Sequence, residues 1–156
     1  MLIGQSGGPT AVINSSLAGA VRKAMVYREI GNIYGAFHGI EGVLNRKIID
    51  LRTSLKNDRD FSLLQATPAM ALGSCRFKLS NQQDENYKKI LEVFHEFKSD
   101  IFFISVEMIR WTLLESCLTI FQKSTRISDA SVSLKRLIMI SSARIILHVL
   151  VPQLNT

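Results

Sequence analysis

Glycine stops half-way along this chain. All nine glycines lie between Gly4 and Gly73, and none follows. An α/β domain uses glycine at strand-to-helix turns, where a residue without Cβ takes the backbone angles cheaply. The absence therefore separates two segments of different character. Cysteine is scarce too: Cys75 and Cys117 alone exclude a disulfide framework and a Cys-only zinc site. No apolar run reaches the length of a membrane-spanning helix. The net charge is +6, yet no RRM, zinc-finger or helix-turn-helix pattern accompanies it. Lys and Arg are spread along the chain, so the charge favours small anions such as phosphates. Neither nucleic acid nor membrane is expected as a partner. No apolar leader follows Met1, because glycines begin at Gly4, and the expected location is the cytoplasm.

What is present suits a folded domain. The chain is 47% apolar and 21% charged, which fits neither a disordered chain nor a membrane bundle. Its 156 residues allow one domain with a real core, or one domain and an appendage. Met1–Ile3 is short and apolar, the remnant of a buried strand. Gly4–Thr10 reads as a loop. Ala11–Glu29 reads as a helix, with Val12, Leu17, Ala20, Val21 and Ala24 near one face. Asn32–Ala36 is a second strand and Ile40–Asn45 a short helix, while Lys47–Leu51 is apolar and of undecided type. Asp84–Lys98 is amphipathic, with Tyr87, Ile90, Leu91, Phe94 and Phe97 forming a stripe. Asp100–Ile104 reads as a buried strand. Strand, helix, strand, helix, strand is the pattern of a doubly wound α/β sheet. From Ser105 on, the chain is rich in serine and carries apolar runs at Leu137–Ile140 and Ile145–Val151, without a consistent face.

Gly4-Gln5-Ser6-Gly7-Gly8-Pro9-Thr10 sits between a strand and a helix. Adjacent glycines let backbone approach a ligand, and the following helix offers unpaired N–H groups at its positive end. These suit a phosphate. A tight turn that binds nothing has the same spacing, and the run is neither a Walker A loop nor a G-x-G-x-x-G fingerprint.

The full run GQSGGPTAVINSSLAG resembles the opening of the phosphofructokinase family, in its pyrophosphate-dependent branch. Two further stretches agree in order. Ile33-Tyr34-Gly35-Ala36-Phe37-His38-Gly39-Ile40-Glu41-Gly42 is similar to the family's second strand and the glycine turn after it. Thr67–Leu79, containing Gly73-Ser74-Cys75-Arg76, is similar to its G-S-x-R segment. The resemblance covers about Met1 to Phe103. It implies a partial doubly wound, Rossmann-like, three-layer sheet belonging to that family's N-terminal domain. It implies that Gly8, with Gly7 in the loop, approaches a phosphate through its backbone, and that Arg76 binds a phosphate of the donor. A guanidinium fork suits phosphate oxygens. Cys75 is expected to pack, Lys78 to lie at the surface, and His38, His95, Glu41 and Glu85 to be ordinary side chains. No metal ligands stand at useful spacing in this frame. For the parent enzyme the resemblance implies Mg²⁺, pyrophosphate or ATP as donor, fructose 6-phosphate as acceptor and a homo-oligomer.

After its third strand the family carries a G-G-[ND]-[DG]-S turn, and further on P-K-T-I-D-N-D, whose first Asp is the general base. Neither occurs here. A lost base explains this. Codons for Y-I-G-G-N-D-S-M-D-T-V, read with the first base dropped, give I-S-V-E-M-I-R-W-T-L, which is Ile104–Leu113 at every position. In the same alternative frame, codons chosen for Ala130–Ser141 read I-G-V-P-K-T-I-D-N-D-L. Those for Ile146–Thr156 read T-P-C-F-G-S-A-A-K-Y, close to the family's T-P-G-F-G-S-A-A-K-Y. Synonymous choice contributes to the agreement, but three motifs share one frame and the family's order. The restored G-G-N-D-S and the Lys of P-K-T-I-D-N-D go with pyrophosphate in the family. Residues 1–103 are thus expected to be the native part and 104–156 a frameshifted tail, leaving a truncated enzyme inactive on its own, with no catalytic residue in this frame. The alternatives are a non-catalytic phosphate-binding or interaction module with a basic tail, and another nucleotide kinase, against which the G-S-C-R segment speaks.

Overall fold

The computed structural model describes residues 1–8, 10, 12–74, 84–106, 136–141 and 145–150. The elements run β1 (Leu2–Ser6), α1 (Ile13–Val26), β2 (Tyr34–Ala36), α2 (Gly39–Leu44), β3 (Ile48–Asp50), α3 (Leu51–Ser54), α4 (Asp58–Ala66), α5 (Asp84–Glu96), β4 (Ile101–Val106), β5 (Arg136–Ser141) and β6 (Ile145–Leu150). The strands form one sheet in the order β3-β2-β1-β4-β5-β6. β1 pairs in parallel with β2 on one side and β4 on the other. β4 also pairs in parallel with β5, whereas β3 and β6 run antiparallel to their neighbours.

Alternation along the two central strands builds the layers. Successive strand residues face opposite sides, so Leu2 and Ile3 enter different cores, as do Phe102 and Phe103. On one face Leu2, Ala36, Phe102 and Ile104 meet Ile40 and Val43 of α2 and Tyr87, Ile90, Leu91 and Phe94 of α5. The rings of Phe94 and Phe102 lie 5.1 Å apart. On the other face Ile3 and Phe103 meet Leu17, Ala18 and Val21 of α1, with Leu51, Phe61 and Leu72. Leu2, Ile3 and Phe102 are fully buried, each stabilising the fold by about 1.5–3 kcal/mol over an exposed position. The fold class is therefore α/β with helices on both faces of the sheet, as the sequence pattern implies.

Three boundaries are corrected. β1 does not end at Ile3: it continues through Gly4, Gln5 and Ser6, which the sequence reading placed in the loop. These residues have low strand propensity, but both neighbouring strands supply partners, Ala36 for Gly4 and Ser105 and Val106 for Gln5 and Ser6. Tertiary pairing overrides propensity here. Helix α1 is shorter than Ala11–Glu29, and Val12 is its exposed N-cap rather than a core residue. The undecided run Lys47–Leu51 holds β3 and the first residue of α3, and α4 was not anticipated. The apolar runs noted after Ser105 coincide with β5 and β6.

Candidate functional site

The sheet order reverses at β1. The chain leaves β1 towards β2 on one side and returns later to β4 on the other. In open α/β sheets the carboxyl ends of the strands at such a point border the ligand crevice. Gly7 and Gly8 follow β1 at this end. Gly7 has φ 97°, a conformation that favours glycine, and Gly8 is exposed. The strand arrives here tightly packed: a Cβ on Gly4 would stand 3.4 Å from the Cα of Gly39.

Helix α1 opens without a side-chain cap and with no acidic residue in its first turn. The amides of Ser15 and Ser16 turn back to the Val12 carbonyl, at 3.0 and 3.3 Å. Among the described residues α2 also opens without a side-chain cap, whereas α3 and α4 are closed. Asp50 accepts from the amides of Arg52 and Thr53 at α3, and Asn57 and Asp60 form a capping box at α4. An open N-terminus keeps its N–H groups and its partial positive charge for an incoming anion.

Behind the loop lies a buried polar network that the sequence reading missed. Gln5 is fully buried and Asn14 is 1% exposed. The Gln5 amide donates to Asn14 Oδ1 at 3.1 Å, while Gln5 Oε1 accepts from the Leu72 amide at 2.9 Å. Asn14 Nδ2 donates to the carbonyls of Thr67 and Ala69 at 2.9 and 2.7 Å. Asn14 Oδ1 also accepts from the Ala71 amide at 3.0 Å. One signal could have revealed Asn14: it stands in the helical phase of Leu17, Ala18 and Val21, so a polar residue occupies an apolar stripe.

The segment 67–74 leads towards Arg76 and is tied down again at its far end. The His38 amide donates to the Leu72 carbonyl at 2.7 Å, and His38 Nδ1 lies 3.3 Å from the Ser74 carbonyl oxygen. His38 is exposed, with φ 58°, and serves this turn. Glu41, Glu85 and His95 are exposed helix residues. Arg76, Cys75 and Lys78 lie outside the described residues. So the structure places Gly7 and Gly8 at the carboxyl end of β1, in the connection that leads to α1. A cleft of about 250 Å³ lies instead near Met1, Asn32 and Ile101, at the amino ends of the strands and away from the glycine turn.

Residues 1–105 match the family model described as phosphofructokinase. The chain belongs to the phosphofructokinase family. It is 35% identical over 96 residues to the pyrophosphate–fructose 6-phosphate 1-phosphotransferase of Rhodospirillum rubrum, covering 62% of this chain and 23% of that protein. The Halomonas elongata protein of the same name is 38% identical over 102 residues, covering 64% of this chain and 24% of that protein. The chain thus spans about a quarter of the length of these curated relatives. Among solved structures, the pyrophosphate-dependent phosphofructokinase of Marinobacter aquaeolei superposes with a TM-score of 0.70 at 30% identity, over 90% of this chain and 32% of that one. Pichia pastoris phosphofructokinase in the T-state superposes at 0.66 with 12% identity, over 90% of this chain and 14% of that one, a likeness of fold alone.

Among the described residues no group of three His, Cys, Asp or Glu side chains could hold an ion. Nor, among them, is any helix long and apolar enough to cross a membrane.

Proposed function

We propose that this phosphofructokinase-family chain is the N-terminal part of a pyrophosphate-dependent 6-phosphofructokinase, and that alone it binds phosphate without catalysing transfer. The glycine turn at the reversal point of the sheet, between β1 and the uncapped end of α1, carries this reading. Gly8 meets the donor phosphate through its backbone, Gly7 shapes the turn, and Arg76 adds a charged fork. The curated relatives named for pyrophosphate support that donor over ATP.

In the parent enzyme a phosphoryl group passes from pyrophosphate to the 1-hydroxyl of fructose 6-phosphate, and inorganic phosphate leaves. Such transfer rests on positioning and charge neutralisation, with a carboxylate taking the hydroxyl proton. Mg²⁺ belongs to that parent reaction in this reading; among the described residues no three His, Cys, Asp or Glu side chains gather to hold it. The parent is a cytoplasmic homo-oligomer in this reading.

One base lost near the codons for Phe102 and Phe103 accounts for the missing turn and base. The family match ending at residue 105 supports this, since the out-of-frame reading begins at Ile104. Residues 1–103 are then the native domain part and 104–156 a tail in the wrong frame. Resequencing the DNA across Phe102–Val106 tests the lost base: an extra base there means an intact enzyme gene misread. Assay of the purified chain with Mg²⁺, pyrophosphate and fructose 6-phosphate tests inactivity, and any Mg²⁺-dependent formation of the bisphosphate would refute it. A second reading, a non-catalytic phosphate-binding module with a basic tail, draws on the pairing of β5 with β4 from Ile101 to Val106. A protease-resistant core extending past Ser105 would favour it.

A further inference from the structure

We infer that Gln5 and Asn14 are positioning residues that join the phosphate turn and segment 67–72 into one anion-binding unit; this rests on the proposed phosphate role of Gly7 and Gly8. Gln5 stands two places before Gly7, on the strand that delivers the turn. Asn14 is in the first turn of α1, whose backbone amides face the same end of the sheet. Each residue therefore has two duties. Its backbone belongs to the anion end, and its side chain grips a segment from a distant part of the chain.

The grip uses nearly the full capacity of both amides. Asn14 gives both Nδ2 protons to carbonyls and receives two N–H groups on Oδ1. Gln5 receives the Leu72 amide and donates to Asn14, with a longer contact of 3.5 Å to the Ile13 carbonyl. A buried network so fully satisfied fixes its members in one arrangement. Ala69, at the centre of the gripped segment, has φ 63°, a conformation an alanine keeps only when its surroundings impose it. Beyond Leu72 the chain passes His38 and Ser74, two positions before Arg76. The network thus sets where the G-S-C-R segment begins relative to the glycine turn. A shift of either partner moves the other.

The test compares neutral variants, so that no new charge repels the anion. Pyrophosphate is titrated by NMR into the full chain and into Gln5→Met, Asn14→Leu and Val21→Ala. Val21→Ala destabilises α1 through the core without touching the network. The expected result is binding by the parent chain, with shifts at Gly7, Gly8, Ala71 and Leu72. Affinity should fall at least tenfold in Gln5→Met and Asn14→Leu and stay unchanged in the folded fraction of Val21→Ala. Should the network variants fail to fold, the amide signals of Ala71 and Leu72 in the parent chain decide. If they move with Gly7 and Gly8 the inference stands, and if they stay fixed it falls. Unchanged affinity in folded network variants overturns the inference alone. Absence of pyrophosphate binding by the parent chain overturns both the phosphate role and the inference.

Discussion

Replacing glycine by alanine should have opposite signs at two helical positions. Gly19 lies in the exposed interior of α1, and a Cβ there would meet nothing within 4 Å. Helix propensity then decides, and Gly19→Ala should stabilise the chain by about 0.5–1 kcal/mol. Gly42 lies in α2, and its Cβ would fall onto the backbone carbonyl of Phe37, with the Phe37 nitrogen 3.0 Å away. Neither side can yield. The Phe37 amide donates to the Lys47 carbonyl at 3.0 Å, and the Lys47 amide donates to the Gly42 carbonyl at 2.8 Å. Overpacking against movable side chains costs about 1–3 kcal/mol. Against a hydrogen-bonded backbone the loss should reach the top of that range, about 3 kcal/mol. For a chain of this size 1 kcal/mol moves the melting temperature by about 2–4 °C. Thermal melts followed by circular dichroism at 222 nm should therefore show Gly42→Ala lower by about 6–12 °C and Gly19→Ala higher by about 1–4 °C. A Gly42→Ala protein melting within a degree of the parent, or a destabilised Gly19→Ala, would refute the steric account.

Three further outcomes follow from the same packing. Gly73 has φ 68°, and a Cβ would approach the His38 ring at 2.7 Å, so Gly73→Ala should lose about 1–3 kcal/mol in urea unfolding. Asn57→Ala removes the acceptor of the Asp60 amide at 2.9 Å; the urea midpoint should drop by the equivalent of about 1 kcal/mol with an unchanged slope. Phe102→Ala empties a fully buried position beside Phe94 and should cost about 3–5 kcal/mol, seen as loss of a cooperative transition.

Much of the scaffold was legible because its signals are local. The stripe of Tyr87, Ile90, Leu91, Phe94 and Phe97 marked α5; the structure buries the first four and leaves Phe97, just past the helix, half-buried against the same core. Helix α4 was missed because it buries only Phe61, too little to show a period, although Asn57 and Asp60 spelled a capping box. At the candidate site Gly7 and Gly8 were legible through backbone chemistry, which depends on adjacent residues. The network behind them was not. Gln5 reads as a loop residue, and its partner Leu72 is far away in sequence; only the pairing of β1 with β2 and β4 makes Gln5 a buried strand residue.

That same separation orders the assembly of the molecule in time. The bonds from Asn14 to Thr67 and from Gln5 to Leu72 close chain loops of 53 and 67 residues, and contacts across such spans form late because loop entropy must be overcome first. During synthesis from the N-terminus, the glycine turn emerges well before its brace. Until Leu72 has appeared, nothing on the nascent chain can hold Gln5 as the finished fold does. The glycine turn is made before its brace and is among the last parts to be set.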